Sequence, residues 1–299
     1  MATGSVIKSS IAELKKTFDT LRSGKSTLLS IIDEAEVPES VYNSNAIENS
    51  TLTLKETERI LLELETPRHV SLREVYEAKN LARVIEYTRE KAKENNLTID
   101  TTLFIHRMLL SHINDPVAGR LRKVGEYVRV GTFIAPPPEH VGRLTDKLFI
   151  EYENDFTGYF LDKIATFHLG FETIHPFLDG NGRIGRVVMN YQLLRLGFPR
   201  IIIRDKEKAT YYRSFVEYRD DKKTKTMERV IALALMESLH KRITYLAGES
   251  IVPLSDVIRD QHVSPSAVLN AARRQTIPAF REKGVWKIKA SIVLRPAVQ

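Results

Sequence analysis

The chain has 299 residues, 45 Lys+Arg against 38 Asp+Glu for a net charge of +7, 42% hydrophobic residues and no cysteine. That length fits one large domain or two to three small ones, and the hydrophobic share supports a packed core and excludes wholesale disorder. Lack of cysteine removes disulfides, cysteine-based zinc fingers and thiol nucleophiles. No apolar run approaches the roughly 20 residues of a membrane span. The opening MATGSVIKSS lacks the apolar stretch of a secretory signal. A soluble, cytoplasmic protein with no membrane partner is the expectation.

Most of the chain reads helical. Ile11, Leu14, Phe18 and Leu21 fall on one helical face. Ser71 to Asn95 is a long helical pattern, opened by Ser71 and Glu74 as a capping box. Thr101 to Ser111 follows. Val124 to Ala135, rich in Val and Gly and closed by Pro136, Pro137 and Pro138, reads as a short β-hairpin or a long connecting loop. Helical patterns resume at Glu139–Asn154, Leu161–Glu172 and Arg183–Leu196, the last closed by Gly197 and Pro199. Lys206–Asp220 and Thr226–Leu246 complete the helical body.

Ala247 to Pro253 reads as a linker. Beyond it come a short helix from Leu254 to Gln261 and a turn at His262 and Val263. A helix then runs to Gln275, capped by Ser264 with Pro265 in first place. Two β-like pieces flank Lys283 and Gly284. This order is that of a winged helix-turn-helix. Eight Lys/Arg (Arg295 among them) and four acids give +4 over the last 51 residues, a basic balance that suits nucleic acid or an ordinary solvated surface. The expected division is residues 1–100, 101–246 and 250–299, in a mainly α protein.

The densest chemistry lies in His175-Pro-Phe-Leu-Asp-Gly-Asn-Gly-Arg-Ile-Gly-Arg186. Pro176, Gly180 and Gly182 bend the chain between two helices. The glycines permit positive φ, so successive N–H groups can converge on an anion at the start of the next helix. Asn181 can donate a side-chain hydrogen bond into the same space. Arg183 and Arg186, three apart, are neighbours on a helix face and can grip a polyphosphate. Asp179 is a hard oxygen ligand suited to Mg²⁺, and His175 titrates near neutrality, fit to take a proton from a hydroxyl.

These residues match at every defined position the motif H-P-F-x-[D/E]-G-N-G-R-x-x-R, and the segment resembles the Fic (filamentation induced by cAMP) family. The resemblance, from about Ser44 to Met236, implies a helical Fic core with a flap, and AMP transfer from ATP to a Ser, Thr or Tyr hydroxyl of a target protein. It implies His175 as general base, Asp179 as the Mg²⁺ ligand, Asn181 and Gly182 around the α-phosphate beside Gly180, Arg183 on the later phosphates and Arg186 on the terminal one. Ser44-Asn-Ala-Ile-Glu48-Asn49 similarly fits the family's inhibitory pattern [S/T]-x-x-x-E-[G/N], with Glu48 pairing to Arg186; taken alone it reads as a capped helix start. The Val124–Ala135 island sits where the family has its target-holding flap, with Glu126, Val128 and Val130 as candidates. Tyr212, next to Tyr211, resembles the family's adenine-stacking tyrosine, and as a plain pattern is a core aromatic.

The C-terminal segment resembles small winged helices of the excisionase and MerR type, which puts Ser266, Asn270, Arg273 and Arg274 toward DNA if it binds, or makes it a protein-docking or dimerisation module. Removal of AMP with Glu48 orienting a water, and a DNA-binding regulator that senses nucleotide, are the rival functions. A homo-oligomer stays open. Gly24-Lys25-Ser26 is not a P-loop, since Asp19 stands where its first glycine belongs. His106 and His112 lack zinc spacing, and His168 reads as a packed helix residue.

Overall fold

Caps and apolar stripes place the helices. In this computed structural model, which describes residues 4–63 and 69–294, they are α1 (Ser5–Arg22), α2 (Ser26–Ala35), α3 (Val37–Ile47), α4 (Leu54–Glu58), α5 (Leu72–Lys91) and α6 (Ile99–Leu110). A hairpin of β1 (Arg129–Val130) and β2 (Phe133–Ile134) precedes α7 (Pro138–Asn154), α8 (Phe160–Ile174), α9 (Asn181–Arg195), α10 (Lys208–Asp221) and α11 (Lys225–Leu246). Then come β3 (Ile251–Pro253), α12 (Leu254–Asp260), α13 (Pro265–Arg273), β4 (Phe280–Glu282) and β5 (Val285–Lys289). Arg295, counted in the basic tail, lies outside the described residues.

The described residues fall into two units, Val37–Val230 and Gly4–Glu36 with Ile231 onward. This grouping differs from the sequence boundaries, because the first two helices join the C-terminal part. Charge explains it: buried Arg242 is held by Asp33 at 2.5 Å and Glu36 at 2.6 Å, and Lys241 by Glu36 at 3.0 Å. Such a buried network is costly unless every charge is matched.

In the first unit α9 is the central helix. Its residues from Ile184 to Met189 and from Tyr191 to Leu194 are all buried, Arg186 and Gln192 included, so the helix is enclosed on every side. Leu81 and Ile85 of α5, Ile105 and Leu109 of α6 and Phe167 and Phe171 of α8 join it in one core. Each such side chain contributes about 1.5–3 kcal/mol by leaving water. The reciprocal capping box lies at α4, where Thr53 Oγ1 accepts from the Glu56 N–H and Glu56 from the Thr53 N–H. At α5 only half of the expected box forms. Ser71 caps Glu74, but the Glu74 carboxylate accepts from the Thr51 N–H and the Ser71 hydroxyl instead.

The Val–Gly island does form a hairpin, limited to two residues a strand, with Arg129 opposite Ile134 and Val130 opposite Phe133. In the second unit three antiparallel strands in the order β3-β5-β4 close over a small core of Leu254, Val257, Val268, Ala272 and Ile288. The expected helix, turn, helix and hairpin are present, and β3 adds a third strand inside the segment read as a linker.

Candidate active site

The bend between α8 and α9 is built by its own sequence. His175 ends α8 in the left-handed region at φ 52°, donating its N–H to the Phe171 carbonyl at 2.9 Å, and Pro176 prevents further helix. Phe177 is 1% exposed and stacks on His106, ring centroids 3.7 Å apart. His106 Nδ1 accepts from the Gly119 N–H at 2.9 Å, so Nε2 carries the proton and donates to the Asp179 carbonyl at 3.0 Å. Burial pulls His106 down to about 4, which keeps that neutral form fixed around pH 7. Spacing had set this histidine aside for zinc; its role as a loop holder has no signal in sequence.

One expectation about the bend is corrected. Gly180 has positive φ, 82°, but Gly182 is helical. A glycine stands at 182 for space, since a Cβ there would collide with Glu48 Oε1. Asn181 lines the cavity, but its side chain is engaged by the bend itself. Its Oδ1 accepts from the Phe177 N–H and its Nδ2 donates to the Phe177 carbonyl, both at 2.8 Å. Asn181→Ala leaves two buried backbone groups unpaired, each costing about 1–3 kcal/mol. We expect calorimetry to show a melting temperature several degrees lower, and an unchanged melting temperature contradicts this role.

A cavity of about 540 Å³ opens above the start of α9, lined by His175, Gly180, Gly182, Arg183, Arg186 and Tyr212 among others. The N-terminal amides and dipole of α9 face it as an anion site. Arg183 pairs with Glu77 and Asp179, each at 3.2 Å, and Asp179 also takes Arg73 at 2.8 Å. Arg73 and Glu77 were missed; their i, i+4 spacing on α5 signals only a surface pair. Asp179 is 29% exposed as a side chain. Among the described residues no group of three or more carboxylate, His or Cys ligands exists. A single carboxylate fits Mg²⁺, which commonly takes its other ligands from phosphate and water.

Imidazole chemistry at His175 is set by its surroundings. Nδ1 lies 3.2 Å from the Glu172 carbonyl, which can only accept, so Nδ1 carries the proton and Nε2 keeps a lone pair. Burial lowers the His175 pKa, so the ring is neutral at pH 7.

The Ser44–Asn49 segment lies at the end of α3, not at a helix start. Asn49 has φ 66° and donates its N–H to the Ala46 carbonyl, while the Ser50 N–H reaches Asn45, the hydrogen-bond pair of a Schellman C-cap. The left-handed position explains why glycine or asparagine belongs after the glutamate. Ser44 and Glu48, four apart on one face, both hold Arg186: Nε donates to Ser44 Oγ at 2.9 Å, Nη2 to the Ser44 carbonyl at 2.8 Å and to Glu48 Oε1 at 2.9 Å. Tyr212 is 40% exposed and donates to the Ile47 carbonyl at 2.7 Å, which ties it to the same helix end. His168 is buried and hydrogen-bonded to the Tyr211 hydroxyl at 2.8 Å.

Arg122 braces the hairpin to the bend. Its guanidinium donates to the carbonyls of His175 (2.8 Å), Ile174 (3.2 Å), Glu126 (3.0 Å) and Pro136 (3.0 Å). Glu126 does not face the cavity. It accepts two bonds from Arg120 at 2.7 Å and one from the Lys123 N–H, which hold its carboxyl down at about 2. The hairpin segment lines the cavity with Val128, Arg129, Val130, Gly131 and Phe133, and Arg219 stacks over Phe133 at 4.4 Å. In the second unit Ser266, Asn270, Arg273 and Arg274 are all exposed, the first three at i, i+4, i+7 spacing on α13.

A helical core that presents a glycine-bent anion corner to a facing histidine defines a Fic-type fold. Residues 96–193 match the Fic/DOC family model, so the chain contains a Fic domain. It is 31% identical over 226 residues to Protein adenylyltransferase Fic of Nematostella vectensis, spanning 72% of this chain and 50% of the relative. It is 29% identical over 264 residues to Protein adenylyltransferase Fic of Drosophila melanogaster, spanning 82% and 50%. The chain thus spans about half the length of the curated relatives it matches. A Fic domain containing signaling protein from Bacteroides thetaiotaomicron superposes with TM-score 0.72 at 25% identity, over 81% of this chain and 98% of that one. Fic-1 from C. elegans does so with TM-score 0.67 at 25% identity, over 82% and 72%. No helix among the described residues is long and apolar enough to cross a membrane.

Proposed function

We propose that the chain is a protein adenylyltransferase that moves AMP from ATP to a Ser, Thr or Tyr hydroxyl of a target protein, and that Glu48 holds it inactive. The observation that carries the reading is the opening of one cavity onto a neutral His175, the start of α9 and the guanidiniums of Arg183 and Arg186. ATP lies with its phosphates over the first turn of α9, its β- and γ-phosphates on Arg183 and Arg186. The target segment pairs with the β1–β2 hairpin by strand addition, which brings its hydroxyl to His175. His175 Nε2 takes the hydroxyl proton as the oxygen bonds to the α-phosphorus. The bond from that phosphorus to its leaving bridging oxygen breaks, and pyrophosphate departs against the two guanidiniums. Asp179 would hold Mg²⁺, which would supply charge neutralisation for the phosphates. Catalysis is mostly positioning and electrostatics.

Tyr212 has its ring at the cavity wall, available to the adenine once the Ile47 contact is released. A cytoplasmic setting with ample ATP suits the reaction. Intact mass spectrometry tests the reading. After incubation of the Glu48→Gly protein with Mg-ATP and a cell lysate, we expect a protein heavier by one AMP. No mass gain on any protein, the enzyme included, sinks the proposal.

A further inference from the structure

One buried acid in the cavity wall has no task in this scheme. Glu172 lies on the last turn of α8, 8% exposed, and lines the cavity. Its Oε2 is 3.9 Å from His175 Nδ1, and its Oε1 is buried with no hydrogen-bond partner. The facing helix makes room for it: a Cβ on Gly185 of α9 would lie 2.5 Å from Glu172 Oε1 and 3.1 Å from His168 Nδ1. A carboxyl kept buried beside the reacting imidazole costs stability and marks a functional position.

We propose that Glu172 is a positioning residue for His175: its carboxyl stands at the Nδ1 end of the ring and sets how strongly Nε2 draws the proton from the target hydroxyl. The proposal rests on the AMP-transfer reading above. When Nε2 takes a proton the ring becomes an imidazolium. A carboxylate about 4 Å from Nδ1 favours that cation, and a neutral carboxyl does not. The groups that face Glu172 are His168 on its own helix, Arg186 on α9, Glu48 beyond the end of α3, and Tyr211 and Tyr212 on α10. α7 meets α8 through Leu148 on Gly170. His175 itself faces Glu48, Arg122 and Arg219.

Burial first, then the Glu48 charge, push Glu172 up to about 8, against the pull of Arg186. Below that pH the carboxyl is neutral and His175 is a weak base. Above it, the carboxylate strengthens the base.

The test compares Glu172, E172Q and E172D, all in the Glu48→Gly background, by AMP transfer from pH 6 to pH 9.5 at saturating Mg-ATP; loss of the Glu48 charge moves the Glu172 inflection down, while burial, the larger cause, still holds it above the ordinary carboxylate range. With Glu172 the rate climbs through the alkaline range. E172Q falls behind by roughly tenfold at pH 9 and by less than about twofold at pH 6.5, since one pKa unit is a factor of ten. E172D restores the climb. An unchanged climb in E172Q overturns the proposal, and so does an equal loss at every pH, which marks a packing role alone.

A second readout needs no transfer. The His175 Cε1–H resonance, assigned by its absence in H175A, is followed by NMR against pH. E172Q must remove its alkaline inflection, and E172D must move it; a curve matching the Glu172 protein in either variant overturns the proposal. If no protein transfers AMP, the adenylyltransferase reading fails while this curve still judges Glu172.

Discussion

Substituting His175 by alanine in the Glu48→Gly protein is expected to lower AMP transfer by roughly 10²–10⁴-fold, the usual contribution of a positioned general base, with Mg-ATP affinity nearly unchanged. The split follows from the site. In the proposed complex the phosphates are gripped by the start of α9, Arg183 and Arg186, whereas the His175 ring, with Nδ1 committed to the Glu172 carbonyl, offers only Nε2 to a hydroxyl. Its backbone keeps the bend, because the N–H to Phe171 and the carbonyl to Arg122 survive in alanine. The left-handed φ of 52° is less favourable for alanine, so the comparison is made with asparagine as well, which tolerates that region. Transfer from labelled ATP measures the rate and calorimetry the affinity. A variant that transfers at the parental rate removes His175 as the base.

Glu48→Gly is expected to raise nucleotide affinity and transfer together. Glu48 both neutralises the Arg186 guanidinium at 2.9 Å and packs its carboxylate onto Gly182, on the proposed path of the phosphates. Two like unit charges 4 Å apart repel by about 4 kcal/mol at an effective dielectric near 20. The Glu48 side chain is 38% exposed, so solvent screening removes a good part of that. A gain of roughly tenfold to a hundredfold remains, 1.4 kcal/mol being a factor of ten. Self-modification and ATP titration both read it. Equal affinity and equal transfer in parent and variant rule out Glu48 as the inhibitor.

The motif from His175 to Arg186 and the Glu48 segment were legible because their chemistry is carried by residue type at fixed spacing. Ser44 and Glu48 meet Arg186 as i, i+4 spacing requires once α3 is a helix. The long helices were legible for the same reason of period. What sequence misplaced was how backbone groups are paired. Asn181 offers the same amide to a ligand or to the Phe177 backbone, and only the fold chooses. Gly182 carries no positive φ; its need for an absent side chain depends on Glu48 from 134 positions earlier in the chain. Arg122, Glu172 and His106 act through partners distant in sequence or through carbonyls, and neither leaves a pattern. Residues 4–36 were grouped with their sequence neighbours because the charges that bind them, Arg242 and Lys241, lie some 200 positions away.

Arg122 ties the hairpin base and the catalytic bend to one guanidinium. On the proposed adenylyltransferase reading, the scaffold that presents a client's hydroxyl and the base that deprotonates it are therefore mechanically one part. On that reading, retargeting asks only for new side chains on the paired strand residues Arg129, Val130, Phe133 and Ile134, whose backbone stays in register. Selection could thus exchange clients at this edge while the phosphoryl-transfer machinery is inherited untouched.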